Sequence, residues 1–327
     1  VLLHSEQVCL TRVVATAGCL DVSGEINLSV LAGKEGDNDC VSYERLIPFR
    51  AEIPCDEAVT GMPCDARVCI SSVNLSCACD EDKNRCRIFA RIEADVEGRV
   101  YRSEEIRMAE DAFCLACESK PERKTLAFEE PVCAFTASER VSGTAAMNGE
   151  IDFACRLQAA ALCSAEVAAT VTDGEIVAEG VLNASVFYKD AEGSPCCVPI
   201  SLPFSFPVRS DRARAGMRAE ITALACGVSA RQKKEGELEA EGALKLFVTL
   251  RGAESYTYVA QLEEGEAAAV SDCSIAVHIP AAGDTLWDTA KKLRKTPEEV
   301  QRENPDLKYP LTGGERIVVY RRKEIAF

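Results

Sequence analysis

An internal repeat constrains this chain more than any other feature. Slid along itself by 156 residues, the stretch Val22-Ser-Gly-Glu-Ile-Asn-Leu-Ser-Val30 lies over Ala178-Glu-Gly-Val-Leu-Asn-Ala-Ser-Val186. Gly24 then falls on Gly180, Asn27 on Asn183, Ser29 on Ser185 and Cys40 on Cys196. A shift of 155 places Ile47-Pro-Phe49 on Leu202-Pro-Phe204, and a shift of 154 places Val96-Glu-Gly98 on Leu250-Arg-Gly252. Such small drift is what loop deletions leave between duplicated domains.

Inside each copy the apolar residues recur with period two. Ile88, Ala90, Ile92, Ala94 and Val96 share one face, while Arg87, Arg91, Glu93 and Asp95 take the other, the pattern of a strand with one buried side. Leu244, Leu246, Val248 and Leu250 do the same. Gly33–Asp39 and Lys189–Pro195 are rich in turn formers and read as hairpin connections. Both copies are therefore expected to be antiparallel β domains, over residues 1–117 and 118–265. The second has a leader from Lys124 to Leu162 whose counterpart would precede Val1, so the first is expected to lack its opening strands. Either the chain is a fragment or processed product, as its start on Val1 without a methionine suggests, or a neighbouring subunit adds a strand to the open edge.

Composition narrows the function classes. The chain has 327 residues, 47% of them apolar and 28% charged, which suits a globular protein of two or three domains. No apolar run approaches the length of a membrane span. With 37 basic against 53 acidic residues, the summed field repels phosphate polyanions, so no nucleic-acid partner is expected. Two histidines give a triad or zinc enzyme little to work with, and His278 reads as a surface residue of a strand. No phosphate loop, paired-carboxylate motif or Gly-x-Ser-x-Gly elbow is present, so catalytic residues, metal and other cofactors are all unexpected.

Cysteine is the compositional anomaly, with 18 residues, 17 of them no later than Cys226. Cys114-Leu-Ala-Cys117 is a lone Cys-x-x-Cys; zinc would need a second such pair, and a thioredoxin-like motif would need a βαβ context that the strand pattern does not offer. Cys77 and Cys79 share a strand face, whereas the adjacent Cys196 and Cys197 point to opposite faces. Domains of this size bury enough apolar surface without internal staples, so bridges between subunits are the expected use of the excess. Outward or turn-borne positions are the candidates: Cys9, Cys19, Cys40, Cys64, Cys197 and Cys273. The competing reading makes them small buried hydrophobes.

The pattern changes after an acidic linker at 266–274. Ile275, Val277 and Ile279 alternate as a strand, and Gly283-Asp-Thr-Leu-Trp287 turns into a helix whose Leu286, Ala290 and Leu293 share a face, with Thr285 and Asp288 as a capping box. Thr296-Pro-Glu-Glu299 starts a second helix that Asn304-Pro305 ends, and Gly313-Gly314 turns into the strand Arg316–Tyr320. Residues 277–327 carry ten basic and eight acidic side chains, against 27 and 45 in residues 1–276. Lys291, Lys292, Arg294 and Lys295 on the first helix are thus expected contacts for an acidic β domain, its own or a neighbour's.

Residues 275–322 resemble the LysM module in Gly283-Asp284-Thr285-Leu286-Trp287, Ala290, Asn304-Pro305 and Gly314. The resemblance implies a strand-helix-helix-strand fold with a shallow groove for GlcNAc-containing glycan or protein, formed by Gly283, Asp284 and Thr285 on one loop and Asn304, Pro305, Asp306 and Leu307 on the other. The upstream copies resemble SPOCS domains in the run Gly174–Tyr188, the acidic glycine turn after it and Leu202-Pro-Phe204. Tandem SPOCS domains before a LysM characterise spore-coat assembly proteins of the SipL type in endospore-forming Firmicutes. The resemblance implies a non-enzymatic structural protein of the spore envelope, made in the mother-cell cytosol, whose partners are itself or other coat proteins. The alternative it leaves is an anchor on peptidoglycan or cortex glycan.

Overall fold

Alternating side chains build long antiparallel strands. In the computed structural model, which describes residues 3–33, 40–80, 85–146, 157–189, 194–234, 236–267 and 274–320, the chain is mainly β with two short helices. β1 (Leu3–Thr16) turns through Ala17-Gly18 into β2 (Cys19–Gly33), and Gly18 takes a φ of 77°, a left-handed value open to a residue without Cβ. β3 (Cys40–Pro54) pairs with the far side of β2. β4 (Cys64–Asp80) and β5 (Arg85–Val100) form a separate two-stranded sheet.

β6 (Cys117–Ala146) is followed by β7 (Leu157–Thr172), β8 (Glu175–Lys189) and β9 (Pro195–Arg209), which form a sheet in the order β7-β8-β9. β10 (Arg218–Lys234) and β11 (Glu237–Ala267) then pair, and β6 joins the free side of β11. Among the described residues no strand takes the corresponding place on β5. The stretches 34–39 and 190–193, where turns were expected, lie outside the described residues, as does most of the expected linker at 266–274.

β2 pairs with β3 as β8 pairs with β9 along the whole length, and the turns agree. β1 and β7 agree only as far as the pairs Arg12 with Ser23 and Ala168 with Glu179, where a bulge in β1 slips it by one residue. Gly24 lies opposite Phe49 and Gly180 opposite Phe204. At Gly24 a Cβ would stand 2.5 Å from the Phe49 ring and 2.7 Å from the Cys9 carbonyl oxygen, so a larger residue would push the strands apart. Gly18 N–H donates to Ala58 O, and its carbonyl accepts from Cys55 N–H, both at 3.0 Å; Gly174 does the same with Ala213 and Ser210 at 3.0 and 3.1 Å.

The match at 154 fares differently. Val96 pairs with Val68 but Leu250 with Ala219. Counting from the turn glycines Gly61 and Gly216, Val68 corresponds to Ala223, whose partner is Leu246. The main cause is length: 27 residues separate Val68 from Val96 but 22 separate Ala223 from Leu246. Of that difference the second bulge of β10 accounts for one residue, since β10 has bulges at Cys226/Ser229 and Gln232/Lys234 against one in β4 at Ile70/Ser72.

The compact units do not follow chain order. One comprises 1–103 with 128–254, the other 104–127 with 255–327. β6 and β11, at 30 and 31 residues, each contribute to both, which a division at 117 and 265 does not anticipate. In the larger unit, Leu182, Leu202, Leu238, Leu244, Leu246 and Leu250 are fully buried in one core, and Leu20 and Val22 join Cys9 and Leu10 in another. Leu224, Cys226 and Phe247 of β10 and β11 complete this second core from the later part of the chain.

A buried polar joint accompanies that contact. Asn27 Nδ2 donates to Ala225 O at 2.8 Å, Gln7 Oε1 accepts from Ala225 N–H at 2.8 Å, and Lys245 Nζ meets Glu25 at 2.5 Å. Arg251 forms a buried ion pair with Asp65, which also accepts from Tyr101 Oη at 2.8 Å.

Candidate functional site

The smaller unit contains the residues that the sequence marks for binding. β12 (Ile275–His278) and β13 (Ile317–Tyr320) pair antiparallel, with α1 (Leu286–Leu293) and α2 (Pro297–Glu303) between them. Both expected capping boxes form: Thr285 with Asp288, and Thr296 with Glu299, with Pro297 in the first turn of α2. Ala290, Val300, Leu311 and Ile317 make the core, against which Leu286, Leu293 and Phe113 pack. The strand departs from expectation. Ile275, Val277 and Ile279 are 61, 58 and 70% exposed, while His278 is half-buried with its Nε2 shut away from solvent, because Ile317 and Val319 of β13 supply the inward apolar pair.

The first expected groove loop is stitched into the fold. Gly283 takes a φ of 91° and donates to Leu311 O at 2.7 Å; Leu311 N–H donates back to Asp284 O at 2.9 Å. The Lys292 ammonium and the Ala281 N–H hold the Asp284 carboxyl below its usual range. A comparable turn lies at Glu315, held at about 2 by the Thr312 hydroxyl and N–H. On the second loop the side chains divide. Pro305 and Asp306 are exposed, Leu307 packs on the core, and Asn304 is buried. Asn304 acts as a strand substitute: Oδ1 accepts from Val318 N–H at 2.8 Å, and Nδ2 donates to Val318 O at 2.9 Å. Its polar atoms are thus spent inside the fold, and Gly283, Thr285, Pro305 and Asp306 are the exposed members of the set.

The four basic residues of the first helix also divide. Lys292 meets Asp284 and Lys295 meets Glu303, both within the strand-helix-helix-strand segment. Lys291 reaches Asp111 at 2.7 Å and Arg294 reaches Glu118 at 3.3 Å, in the stretch between β5 and β6 and at the start of β6. Asp111 is a hub. It also accepts from Trp287 Nε1 at 3.0 Å and Arg123 at 3.1 Å, and Phe113 meets the Trp287 ring edge-on at 5.1 Å. Burial alone would raise the Asp111 carboxyl, but Lys291 and Trp287 hold it below its usual range. Asp111, Phe113 and Glu118 were not among the expected site residues. The one sequence signal was an acidic and an aromatic residue two apart in a stretch without strand alternation.

Among the described residues no cysteine forms a disulfide, and no group of acidic, cysteine or histidine side chains is arranged to hold a metal. Cys197 is exposed, while Cys19 and Cys64 are part-buried, with Cys19 Sγ 3.0 Å from Thr16 Oγ1. Cys9, expected to face outward, is buried, and desolvation pushes its thiol up to about 12. The physical reason is that its face of β1 is covered by β10 and β11, with Thr222 O at 3.5 Å and Lys245 O at 3.9 Å. Cys40 starts β3, its side chain outside the described set, and Cys273 lies outside the described residues altogether. No family model, curated protein or solved structure matches the chain.

Proposed function

We propose that this chain is a non-enzymatic assembly protein of the bacterial endospore envelope, with two SPOCS-like β domains in tandem and a LysM-like docking module. It is made in the mother-cell cytosol, associates with itself or with other coat proteins, and becomes locked by disulfides between subunits. The observation that carries the reading is the shared register of the β2–β3 and β8–β9 pairings, with the matching Gly18 and Gly174 turns, followed by a strand-helix-helix-strand segment with two capping boxes. Exposed Cys69 and Cys197, free like the other described cysteines, supply thiols for cross-linking. Lys291 and Arg294 support a docking use of α1, because both already bind carboxylates outside the module's own segment.

The test is electrophoresis without reductant, and electron microscopy, of full-length protein isolated from its natural source. A reductant-sensitive ladder together with filaments or sheets is expected. A monomer band with every thiol alkylatable after denaturation would overturn the cross-linking. Retention on purified peptidoglycan without self-association would replace the reading with that of a glycan anchor.

A further inference from the structure

A cysteine pair that the assembly reading leaves unused stands at the start of β6. Cys114 and Cys117 flank the bend Leu115-Ala116, and both are part-buried rather than enclosed. Their thiols hydrogen-bond to each other. The backbone N–H groups of Ala116 and Cys117 also point at the Cys114 sulfur, and that of Gly265 at the Cys117 sulfur. The bend is pinned by Cys114 N–H donating to Ser119 Oγ at 3.0 Å. Gly265 belongs to the arrangement for a steric reason: a Cβ there would stand 3.2 Å from the Glu118 carbonyl oxygen, so a glycine lets β11 lie close beside the pair.

The two sulfurs are unequal. Cys114 faces two backbone N–H groups besides the shared thiol bond, an environment that stabilises negative charge, whereas Cys117 faces one. In consequence the Cys114 thiol is held below its usual value, first by the Cys117 thiol and then by the backbone, and the same bond raises Cys117. Burial acts the other way on Cys9, Cys64, Cys133 and Cys226, all of which are raised.

We propose that Cys114 and Cys117 form a thiol–disulfide exchange site whose substrates are solvent-accessible disulfides. The Cys114 thiolate attacks one sulfur of the substrate; that S–S bond breaks, the other sulfur leaves as a thiolate, and Cys114 holds a mixed disulfide. Cys117 then passes its proton to the departed thiolate and attacks the Cys114 sulfur. The second substrate sulfur leaves and takes a proton from solvent, restoring the one that Cys114 lost on ionising. The substrate disulfide is reduced by two electrons to two thiols, and the pair is oxidised by two electrons to a Cys114–Cys117 disulfide. The site stands whether or not copies of the chain assemble.

The experiment incubates the reduced full-length chain with oxidised glutathione and follows each cysteine by alkylation and peptide mapping. A Cys114–Cys117 disulfide is expected before glutathione appears on exposed Cys69 or Cys197, and iodoacetamide should label Cys114 about threefold or more faster than Cys197 near neutral pH. Cys117→Ser should accumulate one glutathione on Cys114, and Cys114→Ser should leave Cys117 slow to react. Glutathione appearing first on Cys69 or Cys197, equal alkylation rates, or a Cys117→Ser chain that takes up none at Cys114 would each overturn the proposal. The rate comparison uses the unaltered protein, so a variant that fails to fold does not shield the idea.

Discussion

β4–β5 and β10–β11 are both antiparallel hairpins of the larger unit, yet the surroundings of β5 and β11 differ. From Leu246 to Gly252 every residue of β11 is buried, with Leu246, Val248 and Leu250 in the core of their own half and Phe247 in the core shared with the first. β5 carries Arg91, Glu93, Asp95 and Glu97, all exposed, and beside Asp95 on β4 stands exposed Cys69. On the corresponding face of β10 and β11 stand Leu224, Cys226 and Phe247. The backbone of a hairpin thus leaves open whether its second face takes a neighbour; a few outward side chains decide it. The sheets differ at their edges too, since β11 is flanked by β6 whereas β5 has no described strand on that side.

The buried ion pair across the halves offers the sharpest break of this comparison. Arg251 and Asp65 are both largely hidden from solvent, so Arg251→Ala leaves a carboxylate uncompensated and is expected to cost about 3–5 kcal/mol, read as a lower urea midpoint. Replacing both by Met and Leu should recover most of that loss. If the double variant is as unstable as the single one, the pair is not an isolated electrostatic joint.

Next in size comes the outward face. Phe247→Ala opens a cavity between the halves and is expected to cost about 3–4 kcal/mol, whereas Glu97→Ala on β5 should stay within about 0.5 kcal/mol. Similar values for the two, measured by chemical denaturation, would erase the distinction between a covered and a solvated hairpin face.

The smallest effect extends the comparison to the other unit. Because Asp111 is depressed in the folded chain, it contributes stability above the ordinary carboxylate range and loses it as pH falls through its lowered value. Trp287 is the chain's single tryptophan and donates to that carboxylate, so its fluorescence should change on acidification below pH about 4. Asp111→Asn should remove most of this acid step and cost about 1 kcal/mol or less at neutral pH. An unchanged acid step in that variant would assign the transition to other carboxylates.

Local rules carried much of this fold in the sequence. Period two marked the strands, and the capping boxes at Thr285 and Thr296 marked both helices within a residue. What periodicity lacks is direction. It sorted Ile275, Val277 and Ile279 onto one face, but only the partner strand, with Ile317 and Val319, decides which face is inside. It also treats each strand as having one wet side, so it placed Cys9 outward although β10 and β11 cover that side. A three-residue match carries no pairing information, and that of Val96 with Leu250 slipped because the β10–β11 hairpin is shorter than β4–β5. Of the candidate set, the loop residues were named through resemblance and the helix charges through clustering. Asp111, Phe113 and Glu118 stayed invisible because their partners lie more than 170 residues away.

The joint between the halves also sets an order of events during synthesis. Asn27 bonds to Ala225, 198 residues later, and at about 5–20 residues per second a ribosome needs about 10–40 s to supply that partner. Throughout that interval the nascent first half presents Gln7, Cys9, Glu25 and Asn27 on an uncovered sheet face. A holdase or a passing oxidant meets Cys9 then or not at all, since the environment that later suppresses its ionisation arrives with β10 and β11.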